Sequence, residues 1–375
     1  MNVPKLRFKE FNDDWKKDYA GNLCSIQTGK SNTQDKVDDG IYPFYVRSPI
    51  IEKSHKYIFD TEAVLTVGDG VGVGKVFHYI NGKFDCHQRV YMMNNFNNIT
   101  AKYFYYIFSR DFDKRVMKMT AKTSVDSVRY EMIDKMQIYY PTVLEQKKIS
   151  KTLELLDKKI ELQSKKIEDL KLFKSSQIKY ILNKSISNEF PLKDLGYFIS
   201  GNSFGKDKIT QNGEPVVLYG DLYTKYDEEI NCVEQFVEDN PKYIKSEIGD
   251  LLFPTSTTVD AISLISPSVI NVSNVVYGGD LIIFKSNKDL VNPTFLSYQI
   301  NHLKKKEFSK RAQGSTIIHI SSEALLNSKV KIPSIEIQNS ISNFGTFINN
   351  KINLEIEKLD KLNELKKGLM QNMFV

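Results

Sequence analysis

The feature that most constrains this chain is that part of it occurs twice. Setting each residue beside the one 192 positions later gives a gapless match from about residue 98 to 182. Pro141 falls on Pro333, Gln146 on Gln338, Ile149 on Ile341 and Ile160 on Ile352. Ile167 meets Leu359, Leu170 meets Leu362, Lys174 meets Lys366, and upstream Tyr106 meets Tyr298 and Val125-x-x-Val128 meets Ile317-x-x-Ile320. Two copies of one apolar pattern must bury the same faces, so one folding unit is used twice. N-terminal to this stretch the register drifts, and Gly29-Lys30-Ser31 best matches Gly201-Asn202-Ser203 at an offset of 172. Two readings account for the drift: a shared frame carrying domains with different targets, or neutral change in loops.

Each copy ends in a long helical pattern. Ile149, Leu153, Leu156, Ile160, Gln163, Ile167, Leu170, Lys174, Gln177 and Ile181 alternate steps of four and three, which is a heptad seam. Its counterpart runs Ile341, Gly345, Ile348, Ile352, Glu355, Leu359, Leu362, Lys366, Leu369 and Met373. Neither Pro nor Gly interrupts the chain from Gln146 to Leu182, and Pro141 and Pro333 mark an extended approach to each helix. Gly345 stands where the first copy has Leu153, so the second helix is expected to pack less well near its start. Polar residues recur at the same steps, Gln163 with Glu355 and Lys174 with Lys366. Such residues either fix register from inside the seam or lead their charges out to the surface.

The segment before each helix looks β-rich. Ala63–Val67, Val90–Met93 and Leu281–Phe284 read as strands bounded by Gly, Asp or Asn, and short helices are expected around residues 103–108 and 295–298. The predicted divisions are 1–143 and 184–335 for the domains, and 144–183 and 336–375 for the helices. The first helix carries the chain from one domain to the other. If the second pairs with it and runs back, the pair is antiparallel. About 33 helical residues at ~1.5 Å each make a spacer of ~50 Å. That is about one and a half turns of B-DNA, whose pitch is ~34–36 Å. The expected class is α+β: two similar β-rich α/β domains separated by two long antiparallel coiled-coil helices, with an internal pseudo-two-fold repeat.

Composition narrows the function classes. At 375 residues with 41% hydrophobic and 26% charged side chains, the chain is globular and of a length for two domains. No apolar run approaches the ~18–20 residues that span a bilayer, and the opening Met1–Glu10 has no apolar signal core, so a cytoplasmic location is expected. Three scattered cysteines make neither a disulfide framework nor a CxxC metal site. The net charge of +6 permits polyanion binding, though a lysine-rich solvated surface gives the same sum, since only seven of the 52 basic residues are arginines.

With the repeat in place, the chain resembles the specificity subunit of type I restriction–modification enzymes along its whole length. The resemblance is carried by Pro4-Lys5-Leu6-Arg7-Phe8 with Trp15, by Gly68-Asp69-Gly70-Val71-Gly72-Val73-Gly74-Lys75-Val76, and by Gln313-Gly314-Ser315-Thr316-Ile317. Pro141 followed by Glu145-Gln146-Lys147-Lys148-Ile149 and the two matching helices complete it. No one motif is specific; their order and duplication are. The resemblance implies two target-recognition domains, each reading one half of a split double-stranded DNA sequence. It implies that the helices act as spacer and as docking surface for two methyltransferase subunits, which restriction–translocase subunits join. The S-adenosylmethionine, ATP and Mg²⁺ sites would then belong to partner chains, with no cofactor, metal or catalytic residue expected here.

A search for catalytic motifs points the same way. Asn292-Pro293-Thr294-Phe295 nearly spells an amino-methyltransferase Asn-Pro-Pro-Phe, but Thr294 interrupts it and a helix start is expected instead. The run Gly68–Gly74 departs from a P-loop, since Asp69 stands where a Gly is needed and Val76 where a Ser or Thr is. It reads either as a hairpin whose backbone approaches a partner closely or as a simple tight turn. Glu145 is placed at a helix start, where a carboxylate suits the dipole. Cys86, His87 and His78 lack zinc spacing and read as strand residues.

Base reading requires side chains of two-point geometry: Arg to guanine, Asn or Gln to adenine. The first domain offers Lys30, Ser31, Asn32, Gln34, Arg47, His87, Gln88, Arg89, Lys122, Thr123 and Ser124. The second offers Asn202, Ser203, Lys206, Tyr219, Thr255, Ser256, Thr257, Thr258, Asn274, Gln313, Ser315 and Thr316. Each is alternatively an exposed loop residue or a phosphate contact. Lys304-Lys305-Lys306 is either a phosphate-binding run or a solvated helix face. Arg47, Arg89 and Arg129 stand against Arg311 alone, which predicts a second half-site poorer in guanine. The competing classes are a coiled-coil scaffold with protein-binding end domains and the recognition subunit of a methylation-only complex.

Overall fold

The computed structural model describes residues 3–70, 72–119, 127–185 and 187–375, apart from the Lys206 side chain. The chain folds as two compact units, one of Met1–Ser164 with Lys358–Val375 and one of Lys165–Glu357.

In the first unit a six-stranded sheet runs in the order Ser25–Thr28, Val90–Asn94, Phe59–Val67, Phe77–Cys86, Tyr42–Tyr45, Ile51–Ser54. All neighbours are antiparallel except Tyr42–Tyr45, which lies parallel to Phe77–Cys86. The glycine-rich segment joins Phe59–Val67 to its antiparallel partner Phe77–Cys86, as a hairpin turn. The expected short helix is longer, Ala101–Met119. Its Phe104, Phe108 and Phe112 recur every fourth residue, so their rings stack in succession at centroid distances of 5.2 and 4.4 Å. They join Val64 and Met93 of the sheet in one buried cluster.

In the second unit the main sheet has the order Gly196–Ser200, Leu281–Ser286, Asp250–Pro254, Ser268–Ile270, Glu229–Ile230. Its pairings are antiparallel three times and then parallel, the same succession as in the first unit. The shared topology thus reaches into the region where the sequence repeat is lost. A separate four-stranded sheet built around Glu214–Val217 belongs to the second unit. A two-stranded ribbon precedes each long helix, with Lys16 opposite Tyr140 in the first unit and Asn188 opposite Ile332 in the second. The two offsets, 172 and 192, are those of the sequence match.

The long helices span Val143–Lys184 and Ile335–Asn372. In the first unit Ile149 and Leu153 share a buried cluster with Met373 and Phe374 while Asp157 meets Lys366, so the two helices run antiparallel there. In the second unit Lys166 pairs with Glu355 and Lys174 bonds Asn349, again antiparallel. Ile149, Leu156, Ile167, Ile348 and Ile352 are buried, whereas Ile160, Leu170, Leu359 and Leu362 are half-buried. Among the described residues no helix is long and apolar enough to cross a membrane.

Each helix is anchored at its start by one buried glutamine. Gln146 accepts from the Thr100 N–H at 2.7 Å and donates to the Asn98 and Pro141 carbonyls, each at 2.9 Å. Gln338 accepts from the Asn292 N–H at 2.8 Å and donates to the Leu290 and Pro333 carbonyls at 3.3 and 3.0 Å. All partners stand 192 residues apart. Asn292 itself caps the helix Pro293–Gln299, its side chain accepting from the Thr294 and Phe295 N–H groups.

One expectation is corrected and another is extended. Gly345 does not loosen the second helix: a Cβ there would stand 2.3 Å from the Tyr298 ring, so the glycine admits a close-packed tyrosine. Glu145 does lie in the first helical turn, but its main partner is Arg7, which donates to both carboxylate oxygens at 2.8 Å. That hydrogen bond raises the Arg7 guanidinium further above its ordinary value.

Candidate nucleic-acid interface

In the first unit the backbone gathers Lys30, Ser31, Arg47, His87 and Gln88 at one end of the sheet. The N–H groups of Lys30 and Ser31 both donate to the Cys86 carbonyl, and that of Gln88 donates to Ser31. Gly29 permits this: a Cβ there would lie 2.0 Å from the Cys86 oxygen. Arg47 follows the neighbouring strand Tyr42–Tyr45, whose Tyr45 carbonyl accepts from the His87 N–H.

The side chains then separate into two groups. Lys30, Asn32, Gln34, Arg47, Gln88 and Arg89 are exposed. Gln88 Nε2 donates to Asn32 Oδ1 at 2.6 Å, which holds two adenine-compatible amides side by side. Arg47 Nη1 lies 3.2 Å from Asp69 Oδ1, and Arg89 Nε lies 3.8 Å from Asp69 Oδ2. Ser31, by contrast, is buried and its hydroxyl donates to Asp85, so this side chain is withdrawn from any ligand. His87 is also buried, its Nδ1 accepting from the Arg89 N–H at 2.9 Å. Burial, reinforced by Arg47 and Arg89, lowers the His87 pKa. Arg129 is exposed and donates to the Met119 carbonyl. Lys122, Thr123 and Ser124 lie outside the described residues.

The second unit distributes its candidates differently. Asn202 uses its whole amide to tie backbone, donating to the Ile244 and Tyr277 carbonyls and accepting from the Ile244 N–H. Thr255 donates to the Asp280 carbonyl, and Asn274 occupies an exposed left-handed turn at φ 63°. Ser256 and Thr257 are buried in a strand pairing Ile318–His319. From that strand a tight loop projects, closed by mutual Gln313–His319 backbone bonds of 2.9 and 2.7 Å. Gly314 turns it with φ 114°, leaving Gln313, Ser315 and Thr316 exposed. Ser203 is exposed too, and Lys206 contributes backbone to the 3-10 turn Lys206–Lys208. Beside Ser256 and Thr257 lies a cleft of about 890 Å³, also lined by Tyr219, Tyr223, Thr258 and Lys305.

The lysine run is not a uniform solvated or phosphate-binding face. Lys304 is buried between Glu189 and Glu307, Lys305 is half-buried with its pKa lowered by desolvation, and Lys306 alone is exposed. Arg311 donates to the Asn327 carbonyl.

A further surface went unread in the sequence. Leu155, Leu162 and Leu365 of the first unit are exposed, and so are Phe347, Leu354 and Phe173 of the second. These are the same three positions, 192 residues apart. The signal was available: Leu155 and Leu162 stand off the seam, seven residues apart on one helix face, and their counterparts are apolar again.

The comparisons with known proteins decide what these two units are. A family model described as the type I restriction modification DNA specificity domain matches residues 12–172 and again 185–367. The chain belongs to this family. It carries the specificity domain twice, each copy running into one long helix. Over 181 residues the chain is 25% identical to the specificity subunit of the type I restriction enzyme EcoDI of Escherichia coli, covering 47% of this chain and 40% of that one. A putative type I restriction enzyme MjaX specificity subunit of Methanocaldococcus jannaschii is 24% identical over 49% of this chain and 44% of its own length. These two matches therefore span less than half of the relatives' length. The MjaVIII specificity subunit of the same organism is 23% identical over 96% of this chain and 91% of its own. Among solved structures, the S subunit of a type I restriction–modification system from M. genitalium superposes with a TM-score of 0.67 at 15% identity, covering 100% of this chain and 99% of that one. A chain from a study of complex assembly in the type I R-M system superposes at 0.58 and 15% identity over 97% and 98% of the two chains. At such identities the likeness is one of fold.

Proposed function

We propose that this specificity-family chain is the DNA-recognition subunit of a type I restriction–modification complex, each unit reading one half of a bipartite double-stranded target. The observation that carries the reading is one topology presented twice with unlike polar faces. The first unit exposes two guanidiniums beside paired amides, and the second exposes a Gln-Ser-Thr loop. Two readers of one sequence would not need different side chains; two readers of different half-sites would. On this reading the chemistry lies elsewhere: methyl transfer with S-adenosylmethionine, and ATP- and Mg²⁺-dependent cleavage, belong to partner chains, in the cytoplasm where the DNA is met. A net charge of +6 is small for a lone DNA binder and suits a reader that shares phosphate contacts with partners.

The long helices supply the spacer and the docking surface. The first has 42 residues, or ~60 Å at ~1.5 Å each. The duplicated exposed apolar positions fit two copies of the same partner, one methyltransferase subunit for each set, because repeated surfaces take repeated ligands. Restriction subunits would join that assembly.

The test is methylated-base sequencing of DNA treated with this chain and its methyltransferase partners. A bipartite motif is expected, with salt-sensitive binding, and inserting four residues into the first helix should lengthen the unread spacer while leaving both half-sites unchanged. A change in the bases read would refute the spacer role. Leu162→Glu with Leu354→Glu should abolish methyltransferase association, and exchange of the second unit should carry with it the half-site poorer in guanine.

A further inference from the structure

Asp69 belongs to the glycine-rich hairpin turn, and nothing in the DNA-reading role so far gives it a task. Its backbone is fixed to the turn that carries Arg89, just before the strand Val90–Asn94. The Gly68 N–H donates to the Arg89 carbonyl at 2.8 Å, the Val128 N–H donates to Gly68 at 2.7 Å, and Asp69 bridges Ser127. The fit at Gly68 demands glycine, since a Cβ would come 2.6 Å from the Arg89 oxygen. Held in this way, the Asp69 carboxylate offers one oxygen to Arg47 and the other to Arg89. Asp69 is 22% exposed, whereas the two arginines are 48% and 66% exposed and so present their outer faces to a ligand.

We propose that Asp69 is a positioning residue for base recognition: it aims Arg47 and Arg89 together at guanine in the half-site read by the first unit. The inference rests on the DNA-reading role above. Its physical content is a choice between two ligands for a guanidinium. A phosphate clamp gains from undiluted positive charge, and a carboxylate 3.2 Å from one guanidinium repels the phosphate it would bind. A guanine edge carries two neutral acceptors, O6 and N7, and rewards a planar fork held in a fixed direction more than it rewards net charge. A shared carboxylate restrains both forks before binding, so less side-chain freedom is lost on contact. The Gln88–Asn32 amide pair, suited to adenine, is joined through Gln88 to the residue next to Arg89 in the chain.

The experiment uses the full complex of this chain with its methyltransferase partners acting on a randomised DNA library, read by methylated-base sequencing. Arg47→Lys and Arg89→Lys keep charge and lose the fork. Each should lower the preference for guanine at a position of one half-site by about fivefold to a hundredfold. Asp69→Asn keeps the shape and loses the charge, and should lower preference at those same positions by about fivefold. Asp69→Glu should restore part of that preference. The other half-site should stay unchanged in every variant, which also reports that the chain is folded. If the lysine variants instead weaken methylation equally on all sequences and flatten its salt dependence, the arginines hold phosphates and the proposal fails. If Asp69→Asn leaves guanine preference intact, Asp69 aims nothing. A wild-type complex with no preference in either half would overturn the DNA-reading role itself.

Discussion

The same three positions hold a polar cluster in both units, and they solve its charge problem differently. In the first unit Tyr106 donates to Asp157 at 2.8 Å, and Lys366 pairs with the same carboxylate at 2.5 Å. Their counterparts are Tyr298, Asn349 and Lys174. Asn349 donates to the Tyr298 hydroxyl at 2.8 Å and accepts from Lys174 at 2.8 Å. An amide cannot neutralise an ammonium, so Lys174 takes its counter-ion from the domain, as Glu228 at 2.7 Å. His302 Nε2 stands 2.7 Å from the same carboxylate, an electrostatic contact rather than an aligned hydrogen bond. The Lys174–Glu228 pair is 5% and 7% exposed, whereas Lys366 and Asp157 are each 33% exposed. Duplication preserved the geometry of the cluster and left the source of its negative charge free to move.

That difference predicts unequal costs. Lys174→Met should be the most damaging change, since it takes the ammonium partner from buried Glu228 and leaves His302 alone beside the carboxylate, at about 3–5 kcal/mol. Hydrogen exchange should report the loss in the strand Glu229–Ile230 and its neighbours and not in the first unit. Loss of protection in both units would mean that they do not unfold separately. Acid sharpens the same point. Burial alone would push the Glu228 carboxyl up, but His302 and Lys174 more than reverse this and hold it well below the usual carboxylate range. A depressed folded value means that the stabilisation is present above the unfolded value of about 4.3 and wanes as pH falls below it. Protection of the second unit should therefore decline below about pH 4.3. Glu228→Gln should flatten that decline, and an unchanged profile in this variant would assign it to other groups.

A second contrast lies one helical turn away, where the first unit has Leu153 and the second Gly345. Leu153→Ala removes a fully buried side chain from the cluster around Tyr103 and Phe374, at about 2–5 kcal/mol. Gly345→Ala would ordinarily stabilise a helix by ~0.5–1 kcal/mol. Here the added methyl meets the Tyr298 ring, and a net loss of about 1–3 kcal/mol is expected. Thermal unfolding of the two variants decides it, and a stabilised Gly345→Ala would show that Tyr298 yields.

Much of this architecture was legible because it depends on near neighbours. The seam, the uninterrupted helices, the hairpin at Gly68–Gly74 and the cap at Asn292 all follow from spacing within a few residues. What was hidden depends on distance along the chain. Arg7 reaches Glu145 across 138 positions and Lys174 reaches Glu228 across 54, and no local pattern predicts either. Among the base-reading candidates, type alone could not separate Gln88, exposed beside Asn32, from Asn202, whose amide is spent on backbone. Ser31 was lost to Asp85 for the same reason, since a hydroxyl in a loop and one under a sheet look alike in sequence. The second unit's extra sheet falls where the two copies diverge, so the repeat had nothing to say about it.

The glutamine anchors test whether the units are alike where they look alike. Gln146→Ala and Gln338→Ala each remove three hydrogen bonds at the start of a long helix and leave a backbone N–H without its partner. A cost of about 1–3 kcal/mol is expected for each. Because the partners match position for position, the two costs should agree within about 0.5 kcal/mol, the usual scatter for independent sites. A larger gap, measured by denaturant unfolding followed unit by unit, would show that surroundings rather than the anchor set the energy.

The smallest effect falls on Lys366, and it tests the opening comparison from its weak side. Lys366→Met removes a partner from Asp157, but water reaches both groups, and Asp157 keeps the bond from Tyr106. An exposed pair of this kind is worth about 0–1 kcal/mol and is screened by salt. The substitution should therefore cost little at physiological ionic strength and less as salt rises. Lys174→Met should keep most of its cost at high salt, because its counter-ion is out of reach of mobile ions. Equal salt dependence for the two variants would mean that water enters the Glu228 site. In that case the two units differ in composition at this cluster but not in electrostatics.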